Sequence, residues 1–139
     1  MRLVLTDNKI LLKVELKTLR FFSNPIFTVT KNLINMKELS QDEWQKKAKS
    51  DDKAVLLDVR TEEEVDEGYI PNSKNIDIYK GQEFVDEVDK LDRDKHYYIY
   101  CRSGKRSSQA CTLLDQMGFA ETYNLAGGFS EWEGEKETN

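Results

Sequence analysis

One cysteine and three cations crowd into residues 99–110, which read IYCRSGKRSSQA. Cys101 stands where an apolar, strand-like run stops. Arg102, Lys105 and Arg106 follow it, interleaved with Ser103 and Gly104 and trailed by Ser107 and Ser108. The thiolate is the reactive form of cysteine, and nearby positive charge or hydrogen-bond donors favour it. The stretch therefore has two readings. Cys101 is a small core residue beside a solvated charge cluster, or it is a nucleophile seated in an anion-binding cradle.

A magnitude bears on the second reading. Lowering a free thiol from a pKa near 8.5 by two units takes roughly 2.7 kcal/mol in favour of the thiolate. A helix N-terminus contributes about 0.3–1 kcal/mol when exposed and up to ~2 kcal/mol in good geometry. The dipole alone falls short, but converging backbone amides and the cations of residues 102–106 can close the gap. Gly104 permits the backbone angles that such a loop needs, and Ser107 or Ser108 is placed to cap the helix that follows.

No general base accompanies the cysteine. His96 lies five positions upstream on the same presumed strand, hence on the opposite face, and reads as structural or solvated. A pre-formed thiolate with an anion cradle and no base suits attack on an anionic substrate whose leaving group needs no proton. Sulfur transfer from a sulfane donor meets that description; phosphoryl transfer without an acid meets it less well. Cys111 falls on an apolar helical stripe with Ala110, Leu114 and Met117 and reads as packing.

Cys101 requires a strand before it and a helix after it, and the surrounding pattern supplies both. HYYIYC (96–101) is aromatic and β-branched, and SSQACTLLDQM (107–117) has helical periodicity with Gly118 at its stop. Upstream, Ser40 with Glu43 and Thr61 with Glu64 make capping boxes, the second followed by Gly68 as a helix stop. AVLLDV (54–59), KNIDI (74–78) and ETYNL (121–125) read as strands, QEFVDEVDKL (82–91) as an amphipathic helix, and AGGFSEW (126–132) as a turn into a short helix. The acidic run TEEEVDE reads as a solvated helix face. Alternating short strands and helices predict an α/β domain with a mostly parallel central sheet and helices on both faces. Ligands of such sheets bind beyond the carboxyl ends of the strands, where Cys101 falls.

The whole chain has 139 residues, 38% hydrophobic and 34% charged, with a net charge of −5. That length suits one domain able to bury a core without disulfides or metal. Residues 1–35 carry six cations and two acids and read as a basic extension, either a hairpin or a loosely ordered segment. The working domain is expected over residues 36–133, and residues 134–139 as a frayed polar tail. An acidic body argues against nucleic acid as a partner. With two cysteines, one histidine and no CxxC pair, neither a zinc site nor a disulfide framework is expected, so no metal or cofactor is assigned and a reducing cytoplasm fits. No apolar run reaches membrane-spanning length, which argues against a membrane partner.

LLDVRTEEEVDEGYIPNSKNI (56–76), YCRSGKRS (100–107), GF (118–119) and NLAGGFSEW (124–132) together resemble the rhodanese, or thiosulfate sulfurtransferase, domain, in order and spacing over about residues 36–133. The resemblance implies the same parallel sheet flanked by helices. It implies a cysteine persulfide at Cys101, which takes sulfur from a small anionic donor such as thiosulfate and passes it to a thiol or cyanide; a protein sulfur acceptor is a further candidate partner. By the same resemblance Arg102, Ser103, Gly104, Lys105, Arg106 and Ser107 bind the anion and the persulfide. Asp58 and Arg60 brace the loop, with Arg60 also a candidate for facing the pocket. Tyr69 departs from the family, where GHIPGA commonly stands in place of GYIPNS. Four residues separate Cys101 from Arg106, whereas the related cell-cycle phosphatases use a longer C-x5-R loop. That ranks sulfur transfer above a phosphatase or arsenate reductase; a non-catalytic binding or sulfur-delivery module is the alternative of a different class.

Overall fold

In a computed structural model, residues 36–139 are described. The hairpin or extension expected for residues 1–35 lies outside them. Five strands form one sheet: β1 (Lys37–Leu39), β2 (Ala54–Asp58), β3 (Ser73–Asn75), β4 (His96–Tyr100) and β5 (Glu121–Leu125), in the order β1-β5-β4-β2-β3. Every pairing is parallel, and β4 lies between β2 and β5 with Tyr98 opposite both Leu56 and Tyr123. The helices are α1 (Gln41–Lys49), α2 (Glu62–Asp66), α3 (Gln82–Asp89) and α4 (Lys105–Gln116).

Side chains of a strand alternate between faces, and β4 shows what this does to a central strand. Tyr97 and Ile99 join the core under α3 and α4, with Leu57, Val59, Phe84, Val88, Ala110 and Leu114. Tyr98 and Tyr100 join the opposite core, with Trp44 of α1, Ile70, Tyr123, Leu125 and Trp132. Cys101 continues the odd parity and falls in the first core. Helices thus cover both faces, as the sequence pattern predicts.

Three buried tyrosines in one strand need three hydroxyl partners, and each finds one. Tyr97 donates to the Asp92 carbonyl at 2.8 Å and Tyr98 to the Asp51 carboxylate at 2.7 Å. The Tyr100 hydroxyl accepts from the Ile70 amide at 3.0 Å and lies 2.9 Å from Ser73 Oγ. His96 pairs with Asp51 at 2.8 Å, at the end of β4 remote from Cys101. On the same face Trp44 meets Tyr98, Tyr100 and Trp132 edge to face at centroid distances of 5.8, 6.1 and 5.7 Å.

Three local expectations shift. The strand expected over residues 74–78 is Ser73–Asn75, because Asp77 caps a 3-10 turn at Ile78–Lys80 by accepting from the Tyr79 amide. Helix α4 starts at Lys105, with Gly104 in left-handed conformation (φ 103°) at its N-cap, so neither Ser107 nor Ser108 caps it. Residues 134–139, expected to fray, are tied back. Tyr69 and Glu137 exchange backbone hydrogen bonds at 2.8 Å, and Trp132 Nε1 donates to the Glu135 carbonyl at 2.9 Å.

Trp44 anchors the aromatic core at 1% exposure, and its indole N–H donates to the Tyr123 carbonyl at 3.2 Å. Trp44→Ala is expected to destabilise the domain by about 3–5 kcal/mol, read as a lowered urea midpoint with an unchanged slope.

Candidate active site

Cys101 follows the last residue of β4, so its sulfur emerges at the carboxyl edge of the sheet, and α4 begins four residues later. The short return aims donors at that sulfur. Sγ accepts from the Gly104 amide at 3.0 Å, the Ser107 amide at 3.4 Å and the Ser107 hydroxyl at 3.3 Å. Cys101 and Ser107 have no solvent exposure. Burial works against a thiolate, but the Ser107 hydroxyl and the amides of Ser107, Gly104 and Ser103 outweigh it and hold the thiol below its ordinary value. Apolar packing alone would raise the thiol, and the donors around Sγ act in the opposite direction. Cys111, one turn beyond Ser107 in α4, shows that contrast: burial pushes its thiol far up.

The loop is held from below by residues 124–130. Phe129 donates its amide to the Cys101 carbonyl at 2.8 Å, and Ser130 to the Arg102 carbonyl at 2.9 Å. Gly128 is required for that approach, because a Cβ there would run into the Arg102 carbonyl and sit 2.7 Å from the Cys101 carbonyl oxygen. Asn124, at 1% exposure on β5, donates Nδ2 to the Gly104 carbonyl at 3.1 Å and accepts from Ser107 Oγ at 2.5 Å.

Asp58 and Arg60 form a buried fork–fork pair, with Arg60 Nε and Nη2 donating to the Asp58 carboxylate at 2.7–3.1 Å. The remaining Arg60 donors reach the Gly68 carbonyl at 2.8 Å and the Glu64 carbonyl at 3.3 Å. Its guanidinium lies 4.3 Å from the centre of the Phe129 ring. Arg60 thus braces the segment that supports the loop, with each of its three guanidinium nitrogens donating to a protein acceptor.

Two of the loop cations meet on Glu64, which the sequence pattern marks only as a helix-capping residue. Glu64 accepts from Arg106 Nη1 and Nη2 at 2.8 and 3.0 Å and from Arg102 Nε at 2.9 Å. The same carboxylate accepts from the Thr61 amide at 3.1 Å, completing the capping box of α2. TEEEVDE is therefore not a uniformly solvated face, because Glu64 turns inward to join α2 to the loop. The capping box was the available signal for its placement, but the tie to two arginines depends on tertiary structure. Arg106 also lies 5.1 Å from the ring centre of Tyr79, an exposed aromatic. Lys105 has no ion pair among the described residues. No cluster of three or more metal-ligating His, Cys, Asp or Glu side chains, and no helix long and apolar enough to cross a membrane, occurs among them.

The hydrogen bonds from Arg106, joined by those from Arg102 and Thr61, hold the Glu64 carboxyl well below the usual carboxylate range. A depressed carboxylate stabilises the fold above its unfolded pKa, and that contribution is lost as pH falls below it toward the folded value. Glu64→Gln is expected to lower stability by about 1–2 kcal/mol at neutral pH, less than for a fully buried pair because Arg102 is exposed. It is also expected to flatten the loss of stability on acidification, measured as urea midpoints between pH 7 and the acid limit.

The family model described as the rhodanese-like domain matches residues 41–135. The chain is 40% identical to YtwF of Bacillus subtilis over 102 residues, 73% of this chain and 95% of that protein. It is 33% identical to the thiosulfate sulfurtransferase GlpE of Coxiella burnetii over 96 residues, 69% and 85% of the two chains. The crystal structure of a rhodanese-like domain protein from Staphylococcus aureus superposes with a TM-score of 0.65 at 32% identity, covering 75% of this chain and 99% of that one. By sequence and by fold, the chain belongs to the rhodanese-like domain family, whose members include sulfurtransferases.

Proposed function

We propose that the protein is a sulfurtransferase that carries a sulfane sulfur on Cys101. The observation that supports this most is the set of donors on a fully buried sulfur: two amides and a hydroxyl within 3.4 Å of Cys101 Sγ. In this reading the Cys101 thiolate attacks the outer sulfur of thiosulfate or of a persulfide. The donor's S–S bond breaks, its electron pair leaves with sulfite or a thiolate, and a Cys101 persulfide forms. A thiol or cyanide then attacks the outer sulfur, and Cys101 departs as the thiolate.

Neither step needs a general acid, because each leaving group is a stable anion. That matches a site with no base at the sulfur and with His96 remote from it. The amides of residues 103–107 would hold the charge of the thiolate and of the persulfide's outer sulfur. Arg102 and Lys105, both exposed, would meet an anionic donor at the rim, while Arg106 is committed to Glu64 as a brace.

Incubation with thiosulfate is expected to add one sulfur atom to the folded protein, seen by intact-mass spectrometry and removed by cyanide. Cys101→Ser is expected to abolish both the gain and the turnover. No mass gain by folded protein from thiosulfate or a glutathione persulfide would overturn the reading, as would turnover surviving in Cys101→Ser. Rapid hydrolysis of an aryl phosphate would favour a phosphatase instead.

A further inference from the structure

The Ser107 hydroxyl has a single proton and two acceptors within reach. One is Cys101 Sγ at 3.3 Å; the other is Asn124 Oδ1 at 2.5 Å. The orientation of the Asn124 amide is fixed, because its Nδ2 donates to the Gly104 carbonyl at 3.1 Å and a flip would set two oxygens against each other. Oδ1 therefore faces the serine as an acceptor and cannot supply a proton. All three side chains are buried, at 0–1% exposure, so the contest is confined to them.

We propose that Asn124 is a positioning residue that competes with the Cys101 sulfur for the Ser107 hydroxyl proton and thereby sets the reactivity of that sulfur. With Cys101 as the thiol, all three groups are satisfied together. The S–H donates to Ser107 Oγ, and Ser107 donates to Asn124. With Cys101 as the thiolate, the serine must turn its proton back to the sulfur and give up the shorter bond to Asn124. Ionisation is thus coupled to release of the serine from Asn124. The amide donors at Gly104 and Ser107 are backbone groups and stay in place in both states, so the hydroxyl is the adjustable member of the set.

Among the other titratable or charged groups, Arg106 and Cys111 on α4 interact electrostatically with Cys101, and Arg102 and Lys105 lie on the same loop, exposed. None of them hydrogen-bonds to the side chain of Ser107 or Asn124. Loss of the Asn124 amide leaves the Gly104 carbonyl with a donor, since Ser108 N also reaches it at 3.1 Å.

The inference rests on Cys101 being the reacting sulfur, but alkylation of the sulfur-free protein reads the Cys101 thiol whether or not that thiol accepts sulfur from a donor, so the two readings fail separately. The experiment is the pH profile of Cys101 alkylation by iodoacetamide, followed at the Cys101 peptide by mass spectrometry on protein verified as folded by circular dichroism. Asn124→Leu frees the hydroxyl and is expected to lower the profile's midpoint by about one unit, a tenfold gain in thiolate below it. Asn124→Asp, nearly isosteric, holds the serine more tightly and is expected to raise the midpoint. It also serves if the leucine variant fails to fold. In a Ser107→Ala background the fall is expected to vanish and the rise to shrink to the effect of the added charge. Shifts of equal size with and without Ser107, or no shift in either variant, would overturn the proposal.

Discussion

A negative charge on Cys101 Sγ has no water to stabilise it, because the residue is fully buried. Every favourable interaction with that charge must come from groups the fold has already set in place. Much of the architecture serves this constraint. Strand β4 ends one residue before the cysteine, Gly104 turns the chain through a left-handed conformation, and the first turn of α4 brings the Ser107 amide to the sulfur. Moving Cys101 by one position would flip it into the aromatic core with Tyr98 and Tyr100, away from those donors.

The supports of the loop are largely polar, and they interlock. Asp58 holds Arg60, Arg60 lies against Phe129, and the Phe129 amide holds the Cys101 carbonyl. From the other side Glu64 gathers Arg102 and Arg106, and Asn124 joins Gly104 to Ser107. The positive charge of the loop thus has two uses. Arg106 is a structural tie, whereas Arg102 is both tied and exposed and Lys105 is exposed at the rim.

Much of this was legible from the sequence, for identifiable physical reasons. The aromatic β4, the parity of Cys101, the capping box at Thr61 and the strand ETYNL are local patterns, and they reappear with small changes of boundary. The hydrogen-bond partners of Glu64, Asn124 and Ser107 were less accessible. Glu64 was legible as the second member of a capping box, but its tie to Arg102 and Arg106 follows only from the packing of α2 against the loop. Ser107 suits a helix cap by residue type, but the preceding glycine takes that position and turns the hydroxyl toward the sulfur. Asn124 lies 17 residues from Ser107 in sequence and becomes its partner only because β5 pairs with β4.

The folded loop is expected to make Cys101 a better thiolate than an unconstrained cysteine, despite complete burial. The most direct test compares the pH midpoint of Cys101 alkylation in the native protein with that in the same chain unfolded in urea. A native midpoint below the unfolded one, which lies near 8.5 for a free thiol, is the expected result. A native midpoint equal to or above it would show that burial prevails over the loop donors, and would contradict the account.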